Sequence, residues 1–218
     1  KKDLAIIEYI SVREISGQKL VKNLIGRDVP VVADPTILAN RRIWDDLKGG
    51  RLIKKDYIMC YFLGNNPNHR KLAEELSKKT GLPIVTLPHG DEIVKADFGF
   101  GEIKPQGVGP AEFVNLISNA KYVCTDSFHG TVFSILYKRQ FMVFNRYTAD
   151  VNGKSSTNSR LSSLLNLLGL EKRLYDSNKG LKQDMFDPIN FETAHKNIKE
   201  LREQSLAYLK NALSDSRI

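Results

Sequence analysis

Short runs rich in β-branched and aromatic residues alternate along this chain with segments of helical period, and few folds can accommodate that order. The β-like runs cover residues 5–12, 30–33, 57–63, 83–87, 122–125 and 141–144, while residues 17–25, 70–79, 111–119 and 131–138 repeat apolar side chains at helical spacing. A strand that returns only after a helix pairs in parallel with its predecessor, because the helix has carried the chain back along the sheet. The punctuation agrees: Gly26, Gly81 and Gly169 fall just past periodic segments, and Pro110 sits where a first helical turn begins. The expectation is an α/β fold, a Rossmann-like doubly wound parallel sheet of about five or six strands. It takes up residues 1–218 as one domain.

The pattern changes past residue 145. Residues 146–159 are polar and aperiodic, carry Gly153 and end in Ser155-Ser156-Thr157-Asn158-Ser159, which predicts a mobile loop closing in a helix cap. Leu161, Leu164, Leu165 and Leu168 then return at helical spacing. A second break over 176–190 precedes a long helix over about 191–213, whose Ala194, Ile198, Leu201, Tyr208 and Leu209 share a face.

Composition narrows the function classes. Thirty-three Lys+Arg against 25 Asp+Glu give a net charge of +8, which favours anionic partners. The basic residues are scattered pairs such as Lys54-Lys55 and Lys78-Lys79 without aromatic interleaving, so no nucleic acid is expected. The only cysteines, Cys60 and Cys124, lie inside apolar runs, which argues against a disulfide framework and for a reducing, cytoplasmic setting. No apolar stretch is long enough to cross a bilayer, and residue 1 does not begin a signal-peptide core. Zinc spacing, a complete phosphate-binding Gly-rich loop and a Gly-x-Ser-x-Gly elbow are all missing, so no metal or cofactor is expected.

The densest local signal is the segment from Tyr122 to Thr131, a buried strand running into the polar tip Asp126-Ser127-Phe128-His129-Gly130 and then into an apolar helix. Ligands of open parallel sheets gather at the carboxyl ends of the strands, and a helix start there turns free N–H groups toward an anion. Asp126, Ser127 and Gly130 are therefore candidate binding residues. His129 is the candidate for catalysis, able to donate to a phosphate or carry a proton near neutrality. The plainer alternative is that Asp126 and Ser127 cap the helix and His129 is structural. His69 reads as opening a helix, His89 as lying in a loop with Gly90, and His195 as surface of the terminal helix. Glu112 complements a helix dipole.

Taken in order, the chain resembles the polysaccharide pyruvyl transferases. The likeness rests on Ile10-Ser11-Val12-Arg13-Glu14, Val32-Ala33-Asp34-Pro35-Thr36 with Trp44 after it, and Tyr61-Phe62-Leu63-Gly64. It continues through Thr125-Asp126-Ser127-Phe128-His129-Gly130-Thr131 and Ser159-Arg160-Leu161, with Leu164-Leu165 leading to Gly169-Leu170. The resemblance implies a fold similar to the second half of a glycosyltransferase-B-type protein, with an amino-terminal partner domain missing. It also implies transfer of a pyruvyl group from phosphoenolpyruvate, the donor substrate, to the hydroxyls of a saccharide acceptor as a ketal. By resemblance His129 stands against the donor and Arg13, at the tip of the first strand, grips its phosphate or carboxylate. Family members carry Arg-x-His at the turn where this chain has Ser127-Phe128-His129, so Arg146 or Arg160, flanking the polar loop, become the candidates for the absent charge. The alternatives are a non-catalytic module that binds an anion or a nucleotide sugar, and half of a glycosyltransferase. Sequence does not set the oligomeric state.

Overall fold

A computed structural model describes residues 1–89, 93–147 and 155–214, with the side chains of 155–157 left aside. Five strands form one sheet: β1 (Ile58–Tyr61), β2 (Ile84–Thr86), β3 (Tyr122–Thr125), β4 (Gln140–Phe144) and β5 (Leu174–Tyr175). Their spatial order is β2-β1-β3-β4-β5 and every pairing is parallel. Alternate strand residues separate into two cores, as the strand's period of two requires. Met59, Val123, Phe141 and Val143 face one core; Ile58, Cys60, Cys124, Met142 and Phe144 face the other.

Nine α-helices lie among the described residues: α1 (Lys2–Ala5), α2 (Ile15–Ile25), α3 (Pro35–Leu38), α4 (Arg41–Lys48), α5 (Pro67–Thr80), α6 (Pro110–Asn119), α7 (Phe128–Leu136), α8 (Ser155–Leu168) and α9 (Glu192–Ser214). The first core takes its apolar faces from α6, α7, α8 and α9, and the second from α5, with Phe100 and Met185 closing it. Cys60 and Cys124 stand opposite each other on β1 and β3, both fully buried as free thiols. The helix exits match the glycine punctuation: Gly26, Gly81 and Gly169 all have positive φ, where a side chain would be strained.

Two expectations are corrected and one strand is additional. Residues 5–12 and 30–33 do not form strands: α1 ends at Ala5, Ile6 and Ile7 are exposed, and the two segments meet only in a single parallel bridge, Val12 to Val31. No described strand runs beside these segments to take up their hydrogen bonds, so the tip carrying Arg13 belongs to a loop outside the sheet. The loop expected over 146–159 is shorter, because α8 begins at Ser155; the expected mobility falls mainly on 148–154, outside the described residues. Inside the break over 176–190 no strand forms, but the two residues before it make β5 at the sheet edge.

The long α9 packs along α8 and over the segment before α3. Ser205 Oγ accepts from the Ala33 amide at 2.8 Å, and Arg202 donates to the Ile37 and Ala39 carbonyls. The terminal helix thereby fixes the loop that carries Asp34. No described helix is long and apolar enough to cross a membrane.

Candidate functional site

Chain order and spatial order diverge between β1 and β3: the chain leaves β1 for β2 on one side and returns as β3 on the other. Ligands of open α/β sheets bind in the crevice that this reversal opens at the carboxyl ends. Here the two ends are stitched together by Asp126. Its Oδ1 accepts from the Leu63 amide at 2.7 Å and its Oδ2 from the Gly64 amide at 2.9 Å. Asp126 is fully buried, and burial pushes its carboxyl up despite the pull of those amides and of Arg146. Sequence reading made Asp126 a ligand contact; its position makes it a brace, since both oxygens are turned inward on backbone.

Ser127 is also buried, and its hydroxyl caps α7 by accepting from the Gly130 amide at 3.3 Å. Gly130 is needed for contact between helix and strand, because a Cβ there would lie 2.6 Å from Thr125 Oγ1. Gly64 is equally confined, with its Cβ position 2.8 Å from Arg146 Cγ and 2.9 Å from Asp126 Oδ2. Arg146 thus lies against the brace, with Nη2 3.5 Å from the Asp126 carbonyl. Glu112 accepts from the Gly109 amide at 3.0 Å, the helix-start role its position suggested.

His129, next in α7, keeps nearly half of its side chain in solvent and lines a cleft of about 880 Å³. An aromatic wall of Trp44, Tyr61, Phe113 and Phe133 forms much of that cleft, with Trp44 edge-on to Phe133 at 5.1 Å and Tyr61 edge-on to Phe113 at 4.8 Å. Behind His129 stands Asp34, whose Oδ1 lies 3.8 Å from Nε2. Asp34 Oδ2 takes the Arg13 guanidinium at 2.6 Å, and Oδ1 accepts from both the Thr36 amide and hydroxyl. Burial alone would raise the Asp34 pKa, but His129, the two Thr36 donors and Arg13 together hold it well below the usual carboxylate range. Arg13 also lies over the Phe128 ring at 5.2 Å. Arg13, Asp34 and His129 therefore form one continuous cluster, even though Arg13 is not on a strand.

Arg160 lines a second, smaller cavity of about 310 Å³ together with Arg13, Asp34 and Phe128, none of which lines the larger cleft. Of the two arginines considered for the absent charge, Arg146 is at the strand reversal and Arg160 shares a cavity with Arg13.

The sequence profile of the family described as polysaccharide pyruvyl transferase matches residues 4–147, well over half of the chain. This chain belongs to the polysaccharide pyruvyl transferase family. Among curated proteins no sequence matches it. Among solved structures it is similar to the UDP-GlcNAc 2-epimerase of Methanocaldococcus jannaschii, solved with UDP-GlcNAc and UDP. The two share 15% identity at a TM-score of 0.47, over 89% of this chain and 54% of the epimerase. It is also similar to the glycotransferase of kitacinnamycin, at 12% identity and a TM-score of 0.38, over 73% of this chain and 43% of that one. The chain thus spans about half the length of each.

Within this pyruvyl transferase family member, one site residue and one buried histidine escaped sequence reasoning. Asp34 read as part of a motif and a helix start, which it also is, capping α3; its second use, anchoring Arg13, needs a contact 21 positions away. His69 read as a helix opener, yet its side chain is only 2% exposed and its Nδ1 lies 3.8 Å from Asp126 Oδ2. Its spacing to Leu72, Ala73 and Leu76, the buried face of α5, was the available signal. His195 is likewise less superficial than expected, its Nε2 lying 2.9 Å from the Ile135 carbonyl.

Proposed function

We propose that this protein transfers the pyruvyl group of phosphoenolpyruvate to a pair of saccharide hydroxyls, forming a ketal during cell-surface or exopolysaccharide synthesis in the cytoplasm. The observation that carries the reading is the Arg13–Asp34–His129 cluster, in which His129 lines the aromatic-walled cleft while Arg13 and Asp34 line the second, smaller cavity, in a chain of this family. Phosphoenolpyruvate concentrates a phosphate and a carboxylate on a small frame, so its site needs cationic and N–H donors close together.

Arg13, held by Asp34, binds an anionic group of the donor. His129 contacts the phosphate and delivers a proton to the methylene carbon C3. The π electrons take up that proton, leaving an electron-poor C2 that an acceptor hydroxyl attacks. Phosphate leaves, a second hydroxyl adds to C2, and the ketal closes. The aromatic wall suits the apolar face of a pyranose ring. Arg146 and Arg160 are the candidates for the second cation.

The test is incubation of the full-length protein with phosphoenolpyruvate and a panel of saccharide acceptors, following phosphate release and the pyruvate ketal by mass spectrometry. Coupled appearance of both products supports the reading. Binding of a nucleotide sugar without any response to phosphoenolpyruvate overturns it in favour of a glycosyltransferase half or a binding module.

A further inference from the structure

The lysine pairs that look scattered along the sequence are collected by the fold. In a sheet whose strands are all parallel, residues just ahead of each strand lie at one amino edge, opposite the edge that carries His129. Lys54 and Lys55 precede β1, Lys78 and Lys79 end α5 ahead of β2, Lys121 adjoins β3, and Lys138 comes just before β4. The strand starts are level: the Lys121 amide donates to the Tyr57 carbonyl, and the Ile58 amide to the Pro83 carbonyl. All six lysines are exposed. Among the described residues the lysines in ion pairs are others, Lys22, Lys48, Lys179, Lys196 and Lys199.

The acids of this edge do not cancel the row. Asp56 holds Arg51 at 2.9 Å, and Glu102 accepts from the Ile84 amide at 2.7 Å. Lys172, ahead of β5, shares its end of the edge with Glu171, Asp184 and Asp187, so the excess charge is concentrated ahead of the four strands β2-β1-β3-β4. At the usual strand spacing that row is about 14 Å wide.

Two details mark its middle. Helices α2, α5 and α8 exit through glycines of positive φ, but α7 exits through Lys138, whose φ of 53° is the one positive value outside glycine among the described residues. Backbone holds that strained turn, the Lys138 amide donating to the Ile135 carbonyl and the Arg139 amide to that of Ser134. A lysine therefore stands where glycine would relieve strain, with its charge in solvent. Beside it a groove of about 490 Å³ opens at the starts of β3 and β4, lined by Lys121, Lys138, Arg139 and Phe186.

We infer that this amino edge docks on an anionic lipid bilayer, with a lipid phosphate entering the groove. The inference goes beyond the proposed transfer and does not depend on it. The exposed cations of the row are lysines, point charges on flexible stems, and mobile anionic headgroups gather beneath such charges. Nucleic-acid surfaces add arginine forks for phosphate and free rings for bases. Here Arg139 spends its Nε on the Tyr137 carbonyl, and Phe186 lies under Lys79 Nζ at 4.3 Å. Docking by this edge turns the carboxyl edge, with His129 and the large cleft, away from the bilayer.

Co-sedimentation of the full-length protein with vesicles tests this, using phosphatidylcholine alone and phosphatidylcholine with one part in four of phosphatidylglycerol. The expected result is binding to the charged vesicles only, weakening as salt rises from about 0.1 M to about 0.5 M and the screening length shrinks. Lys121→Gln combined with Lys138→Gly should weaken that binding about 25-fold, about fivefold for each charge removed. Its melting temperature should hold, because both side chains are exposed and glycine accepts the turn at 138. Lys19→Gln combined with Lys210→Gln, which removes the same charge from α2 and the far end of α9, should leave binding unchanged. Equal binding to neutral vesicles, or equal losses in the two double variants, overturns the inference. So does tighter binding to duplex DNA or an RNA hairpin than to charged vesicles at the same salt, which reassigns the edge to nucleic acid.

Discussion

His129 and His69 stand at the same edge of the sheet, each with a ring nitrogen 3.8 Å from an oxygen of a buried aspartate. Their surroundings separate them. His129 follows β3, keeps 49% of its side chain in solvent and opens onto the large cleft. His69 follows β1, is 2% exposed and lies stacked on Phe144 at 4.9 Å. Burial and the neighbouring Arg70 pull the His69 pKa down to about 4, so the ring is neutral at physiological pH. Proximity to a carboxylate does not by itself charge an imidazole. Asp126 is occupied by the Leu63 and Gly64 amides, whereas Asp34 holds a guanidinium and faces a ring that ligand can reach.

The largest contrast between the two histidines is in turnover. His129→Ala should lower pyruvyl transfer by about 10³-fold with a stability change below about 1 kcal/mol, read from initial rates and chemical denaturation. His69→Ala should invert the pattern, costing about 3 kcal/mol of stability by emptying a packed ring site while the folded fraction keeps its activity. Matching losses of stability in the two variants would erase the distinction.

Acid sharpens it further. His69 binds a proton more readily in the unfolded chain, at its ordinary 6.5, than in the fold at about 4. Stability is therefore complete above pH 6.5 and falls as pH drops toward 4. The loss attributable to His69 is on the order of 3 kcal/mol. Urea titrations at a series of pH values should show this slope in wild type and a shallower one in His69→Gln.

Between the histidines lies the brace, and a smaller change there should disturb both. Gly130→Ala drives a Cβ against Thr125 and should cost about 2 kcal/mol, measured by thermal unfolding. The smallest effect is expected at Asp34→Asn, which keeps the size of the side chain but drops the charge-assisted bond to Arg13. Donor affinity should weaken about tenfold by calorimetric titration while His69 and the sheet are unaffected.

What sequence made legible follows from burial. β3 was read over its full extent because the β-favouring run Tyr122-Val123-Cys124-Thr125 is followed at once by the polar tip at Asp126. Residues 5–12 carry comparable β propensity, but propensity cannot supply a neighbouring strand, and only Val12 finds a partner. β5 has two residues, too few to show a period. At the site, His129 was visible because it interrupts a strand-to-helix junction with polar residues. Asp34 was not, because its partner Arg13 reaches it only through tertiary contact.

The most direct measurement is an NMR titration of the imidazole resonances of all four histidines with phosphoenolpyruvate. A donor held by the Arg13–Asp34–His129 cluster should shift His129 strongly and in proportion to saturation, leave His69 and His195 at their positions, and lose this response in Arg13→Ala. An unmoved His129 at saturating phosphoenolpyruvate, or an equal shift at His69, would contradict the assignment of the cleft.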